Sequence, residues 1–158
     1  MSVKQPLELA EYLKTKKNVL LLTGALCDEL DFDGKSLLDY AADIVRKMNL
    51  PVAATGATIK GLRQRGIQNA AHKYAAEIAD FMRWPGWRDP IMPAKPEVLV
   101  FLGYHPGAAQ GFISMVGNNA ETVSLNNVYV KEATYSLPDA SASFRQYQQY
   151  LEQLVQAL

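Results

Sequence analysis

The stretch that decides the fold is Val19-Leu20-Leu21-Leu22-Thr23-Gly24, a continuous apolar run that stops on glycine. The same pattern returns twice. Val52-Ala53-Ala54-Thr55 runs into Gly56, and Val98-Leu99-Val100-Phe101-Leu102 runs into Gly103. Short unbroken apolar runs bounded by turn residues read as strands buried on both faces. Strands of that kind belong to parallel sheets covered by helices, and such sheets take ligands at the carboxyl ends of their strands. All three glycines fall at that edge. The expectation is one α/β domain over 1–158: a doubly wound parallel sheet with helices on both faces, the architecture of a nucleotide-binding layer.

The segments between these strands carry helical periodicity. Leu7–Leu13 follows Pro6 with Leu7, Ala10 and Leu13 on one face. Ser36 reads as an N-cap with Asp39 reaching back, after which Leu37, Tyr40, Ala41, Ile44, Val45 and Met48 line a helix ending near Asn49. Asp28–Gly34 reads as an acidic loop. Thr58–Arg65 reads as a short helix interrupted by Gly61, and Ala70–Met82 as one alanine-rich helix holding a surface His72. Arg83–Pro93 carries two tryptophans and three prolines, so it is irregular, yet too aromatic for a free linker. Its rings must pack on this chain or on a partner. After the strand ending at Leu102, a helix over Gly107–Val116, a strand over Thr122–Leu125, an extended stretch at Val128–Val130 and a closing helix over Ala142–Leu158 are expected. There is no internal repeat.

Composition narrows the function. The chain has 158 residues, 49% of them hydrophobic and 20% charged, as in ordinary globular domains. Lys+Arg and Asp+Glu stand at 16 each, so no basic excess exists to hold a phosphate backbone, and nucleic acid is not expected as a partner. The longest apolar run is too short to span a bilayer, and the first residues lack a signal-peptide core, so a cytoplasmic protein is expected. One cysteine, Cys27, allows no intrachain disulfide and no four-cysteine metal or iron–sulfur site; no metal is expected in this chain. Its neighbours Asp28 and Glu29 disfavour a thiolate. The acidic residues from Asp28 to Asp33 do not follow the spacing of a calcium loop.

Two turns are candidate cofactor-binding elements. In Thr55-Gly56-Ala57-Thr58, a helix start would direct free N–H groups outward, with the Thr55 and Thr58 hydroxyls and the Lys60 ammonium as further donors to a phosphate or carboxylate. The alternative is a tight turn at Gly56 with Thr58 as a plain cap. Gly103-Tyr104-His105-Pro106-Gly107, followed by Gly111, matches neither the dinucleotide fingerprint nor the phosphate-loop motif. Glycines every fourth residue favour close packing of a helix on the sheet. His105 suits a proton donor or, equally, a solvated cap. With Gly24, the candidate cofactor-binding residues are Gly24, Thr55, Gly56, Thr58, Lys60, Gly103 and Tyr104. No catalytic constellation presents itself.

Several segments taken in order resemble a known family. Leu50-Pro51-Val52-Ala53-Ala54-Thr55-Gly56-Ala57-Thr58-Ile59-Lys60-Gly61 with the later Gly66 resembles the proline-led strand and turn of the epsilon subunits of archaeal acetyl-CoA decarbonylase/synthase complexes. The Trp84–Trp87 loop, Val98–Gly103 leading into Tyr104, and Tyr129 followed by Ser136-Leu137-Pro138-Asp139 agree in order and spacing. Departures fall at Tyr104-His105-Pro106-Gly107 and Val130-Lys131-Glu132-Ala133. The resemblance implies a Rossmann-like fold of the type shared with sirtuins and the central domain of thiamine-diphosphate enzymes. It also implies an α2ε2 assembly with the large carbon-monoxide dehydrogenase subunit, which carries the metal clusters. The implied role is stabilisation of that component, with a part in electron transfer to FAD. The alternatives are a free-standing flavin- or dinucleotide-binding redox module and, last, an enzyme such as a deacylase on the same scaffold.

Overall fold

The computed structural model describes residues 2–158. Helix α1 (Pro6–Lys14) precedes strand β1 (Val19–Thr23), and a short helix α2 (Leu26–Glu29) leads to a two-stranded hairpin, β2 (Asp31–Phe32) and β3 (Lys35–Ser36). Then come α3 (Leu37–Met48), β4 (Val52–Ala54), α4 (Thr58–Gln64), β5 (Ala70–His72) and α5 (Ala75–Met82). The chain finishes with β6 (Val98–Leu102), α6 (Pro106–Val116), β7 (Glu121–Ser124), β8 (Tyr135–Ser136) and α7 (Phe144–Ala157).

Six strands form one sheet in the order β5-β4-β1-β6-β7-β8, and every neighbouring pair is parallel. Leu21 lies opposite Val52 on one side and Val100 on the other. All five residues of β1 and all five of β6 are buried, as expected for strands covered on both faces. Leu20, Leu22, Ala53, Leu99 and Phe101 point into a core with α5 and α6. Val19, Leu21, Val52, Val98 and Val100 point into a larger one with α1, α3 and α7. The chain first winds from β1 through β4 to β5, then returns past β1 to β6 and onward. Because parallel crossovers keep one hand, that reversal moves the connecting helices to the opposite face.

Local signals set several boundaries. Ser36 accepts from the Asp39 N–H at 3.2 Å while Asp39 accepts from the Ser36 N–H at 2.8 Å, a reciprocal cap on α3. Asn49 closes that helix in the left-handed conformation.

Other expectations need correction. Ala70–Met82 is not one helix: Ala70–His72 pairs with β4 as the edge strand, and the helix begins at Ala75. The Val52 N–H donates to Asn69 O at 3.0 Å, and the Asn69 side chain donates to Leu50 O at 2.8 Å. These long-range bonds override the helical preference of alanine. Asp28–Gly34 is not a bare loop, because α2 and the hairpin occupy it; Asp33 and Gly34 turn the hairpin with positive φ at both positions. Gly61 does not interrupt α4, and its missing Cβ admits Leu38, whose Cδ2 would lie 2.3 Å from one. The sixth strand of the sheet, Tyr135–Ser136, has no counterpart among the expected elements; it follows the irregular stretch Val128–Val130. Gly107 and Gly111 do not pack on the sheet, since each faces open space.

Candidate functional site

The sheet reverses between β1 and β6, and at their carboxyl ends Gly24 and Gly103 meet. The Gly24 N–H donates to Leu102 O at 2.9 Å, and the Leu26 N–H donates to Gly103 O at 2.9 Å. A Cβ on Gly24 would lie 2.5 Å from the Gly103 carbonyl oxygen and 2.8 Å from the Tyr104 ring. A Cβ on Gly103, where φ is +82°, would lie 2.4 Å from Cys27 Sγ. The crevice that open α/β sheets offer to ligands is therefore packed here with the chain's own side chains.

Two of those side chains do the filling. Tyr104 is buried, its ring set edge-on to Phe101 and Phe112 at centroid distances of 5.7 and 5.8 Å. Its N–H donates to Asn126 Oδ1 at 2.9 Å, and Asn126 in turn donates to Ser124 Oγ at 3.0 Å. The Tyr104 hydroxyl has no hydrogen-bond partner among the described residues; Thr55 lies beside it without bonding geometry. Burial raises the pKa of this hydroxyl. Cys27 is wholly buried and its thiol reaches Leu102 O at 3.4 Å. Burial first, and the Asp28 charge next, push that thiol up, so it stays protonated.

At the end of β4 the structure separates the residues that the sequence groups together. Thr58 is not a cap: Ala57 occupies the N-cap of α4 and no side chain caps it. The buried Thr58 hydroxyl accepts from Thr23 Oγ1 at 3.0 Å and donates to Thr55 O at 2.6 Å, so it is engaged inside the protein. Gly56 is exposed and open. Lys60 lies on a polar hollow of about 320 Å³ shared with Cys27, Asp28, Ser36, Ala57 and Arg65. Arg65 donates to Asp39 at 2.7 Å and to Gly61 O at 2.9 Å. Burial raises the Asp28 carboxyl above its ordinary pKa, opposed by Arg65. Gly24, Gly103, Tyr104 and Thr55 thus converge at one place, and Cys27 stands between it and the hollow beside Lys60.

The tryptophan loop forms a second feature on the α5–α6 side. The side chain of Asp89 is 6% exposed and binds Lys73 Nζ at 2.8 Å, tying the loop to the end of β5. The same carboxylate accepts the Ile91 N–H at 2.9 Å. Trp87 donates Nε1–H to Met92 O at 2.9 Å and sets its ring edge-on to Phe81. Trp84 points out, 62% exposed. Beside it opens a cavity of about 580 Å³ lined by Phe81, Trp84, Pro85, Arg88 and Pro90 together with the carboxylates Asp80 and Asp89. Sequence reasoning singled out the tryptophans, but neither the Lys73–Asp89 pair nor Asn126. Those residues are distant in sequence from what they hold, and no local signal marks them.

Neither histidine joins a site. His105 is the exposed N-cap of α6 without a capping bond, and His72 lies exposed on β5, edge-on to Tyr74. Among the described residues no group of three or more His, Cys, Asp or Glu is placed to hold a metal ion. No helix among them is long and apolar enough to cross a membrane.

Comparison with known proteins adds the decisive observation. The profile of the family described as CO dehydrogenase beta subunit/acetyl-CoA synthase epsilon subunit matches residues 1–155. The chain belongs to this family. Three relatives share the name acetyl-CoA decarbonylase/synthase complex subunit epsilon. The relative from Methanothrix soehngenii is 26% identical over 157 residues, covering 97% of this chain and 81% of its own length. The first of the epsilon subunits of Methanosarcina barkeri is 24% identical over 151 residues, 94% and 84% of the two chains. That of Archaeoglobus fulgidus is 24% identical over 157 residues, 98% and 83%.

Membership in the epsilon family extends over the sheet, the filled rim and the tryptophan loop alike, because the match leaves out only the last three residues. The two segments that depart from the pattern occupy different surroundings. Tyr104–Gly107 runs from the buried rim into the start of α6, and Val130–Ala133 packs its Val130 and Ala133 into the α5–α6 core.

Proposed function

We propose that this chain is an accessory subunit of an acetyl-CoA decarbonylase/synthase-type complex. It docks on the large carbon-monoxide dehydrogenase subunit in an α2ε2 assembly, stabilises it, and performs no chemistry alone. One observation carries the reading: the rim where an open α/β sheet takes its ligand is closed by Tyr104 and Cys27 over the Gly24–Gly103 crossing. The strand order supports descent from a Rossmann-like fold, since β5-β4-β1-β6-β7-β8 is the order 3-2-1-4-5-6 in the sheet's own sequence numbering. A cytoplasmic location accords with this role. The test is reconstitution with the purified large subunit. Co-elution as one species in size-exclusion chromatography, with a raised melting temperature of the large subunit, is the expected result. Separate elution at micromolar concentration would refute it.

A flavin- or dinucleotide-binding redox module is the second reading, with FAD taking electrons from the large subunit. The polar hollow under Lys60 and Arg65 favours it, as a place for a phosphate. The sheet's reversal opposes it: the buried Tyr104 ring, packed on Phe101 and Phe112, and Cys27 occupy the space at the Gly24–Gly103 crossing where a pyrophosphate would lie. Equilibrium titration of the chain with FAD and with NAD decides between the readings, because saturable binding lost in Lys60→Ala supports the module and absence of saturation at millimolar ligand removes it.

A further inference from the structure

The tryptophan loop combines three properties that single out one kind of partner. It is rigidly held: the Lys73–Asp89 pair, the Trp87–Met92 bond and a bond from Lys95 Nζ to Trp84 O at 3.1 Å fix it from three sides. It presents an indole to solvent beside a cavity with aromatic and proline walls. It also carries uncompensated positive charge. Within residues 80–95 stand Arg83, Arg88 and Lys95 against Asp80 and Asp89. Both carboxylates line the cavity, but Asp89 is neutralised by Lys73 at 2.8 Å and Asp80 faces Arg83 at 3.7 Å, whereas no carboxylate among the described residues pairs with Arg88 or Lys95.

We infer that the Trp84–Pro90 loop and its cavity form the docking surface for a partner segment that presents an apolar side chain flanked by carboxylates. The apolar side chain enters the cavity against Trp84 and Phe81, and the carboxylates meet Arg88 and Lys95. A preformed loop loses little entropy on binding, and a central tryptophan with neighbouring arginine is the residue chemistry of interface anchors. Charge complementarity selects the acidic partner and steers its approach. On the accessory-subunit reading, on which this inference rests, the segment belongs to the large carbon-monoxide dehydrogenase subunit.

The test measures the dissociation constant of the full chain for the purified large subunit of the same organism. Trp84→Ala and Arg88→Glu are compared with Arg145→Glu, which reverses an exposed charge on α7 across the sheet. Trp84→Ala and Arg88→Glu are expected to weaken binding about tenfold or more, with Arg145→Glu unchanged. The wild-type affinity should fall with added salt, and less steeply in Arg88→Glu. Melting temperatures equal to wild type show that the substituted chains remain folded; Trp84 is exposed and its side chain makes no hydrogen bond among the described residues. If wild type binds and both loop variants bind equally well, the loop is not the docking surface. Should wild type itself fail to bind, the accessory-subunit reading falls, and that outcome is distinct from the first.

Discussion

Gly24 and Gly103 approach so closely across the ends of β1 and β6 that the carbonyl oxygen of one would lie 2.5 Å from a methyl placed on the other. Glycine at this edge therefore serves packing between two strand ends and the Tyr104 ring. In ligand-binding sheets the same residue type keeps the edge open for a phosphate.

Gly24→Ala is expected to cost about 1–3 kcal/mol, the range for forcing extra volume into a packed site. Gly111→Ala, in the middle of α6 with nothing within 4 Å, should instead stabilise by up to ~1 kcal/mol through the better helix propensity of alanine. Urea denaturation of the two variants checks the opposite signs.

Two buried tyrosines should respond differently to loss of the hydroxyl. Tyr147 donates to Leu125 O at 2.6 Å in the core, so Tyr147→Phe orphans a carbonyl and costs about 1–2 kcal/mol. The Tyr104 hydroxyl has no partner among the described residues, so Tyr104→Phe should be neutral or stabilising by up to ~1 kcal/mol. A destabilised Tyr104→Phe would show that the hydroxyl is bonded in solution.

Acid stability should depend on Asp39 and Asp28 with opposite signs. Burial opposes the Asp39 charge, but the Arg65 guanidinium and the Ser36 N–H outweigh it and hold its pKa below the ordinary 3.8. Its contribution is thus complete above pH 3.8 and lost as pH falls through the lowered value; Asp39→Asn should flatten that acid limb. The Asp28 pKa is raised by burial, so its penalty on the fold builds as pH rises from 3.8 to the raised value and is complete above it. Asp28→Asn should therefore raise the melting temperature at pH 7 and leave it unchanged well below 3.8. Thermal melts across pH 2–7 resolve both (a range of about five units spanning these carboxyls).

Asp89→Asn removes the counter-charge of Lys73 at a largely buried position and should loosen the tryptophan loop at a cost of about 1–3 kcal/mol. Amide hydrogen exchange over residues 84–92 should speed up while β1 and β6 keep their protection. Unchanged exchange in that segment would mean that Trp87 and Lys95 suffice to hold it.

Residue order alone is enough for the layered α/β architecture, the strands of Val19–Thr23 and Val98–Leu102, and the Ser36–Asp39 cap. Each depends on residues within a few positions of one another: a strand covered on both faces must be apolar at every position, and a cap closes over three residues. The tertiary structure alone decided that Ala70–His72 is an edge strand, because its ladder partner lies in β4. It alone decided that Tyr104 and Cys27, which stand 77 positions apart, close the rim. The same holds for the tryptophans, where the loop's fold turned Trp87 inward to Met92 and left Trp84 outside. Contacts between residues distant along the chain leave no periodicity to read, so the contents of the edge and the orientation of the loop emerge only when the chain is folded.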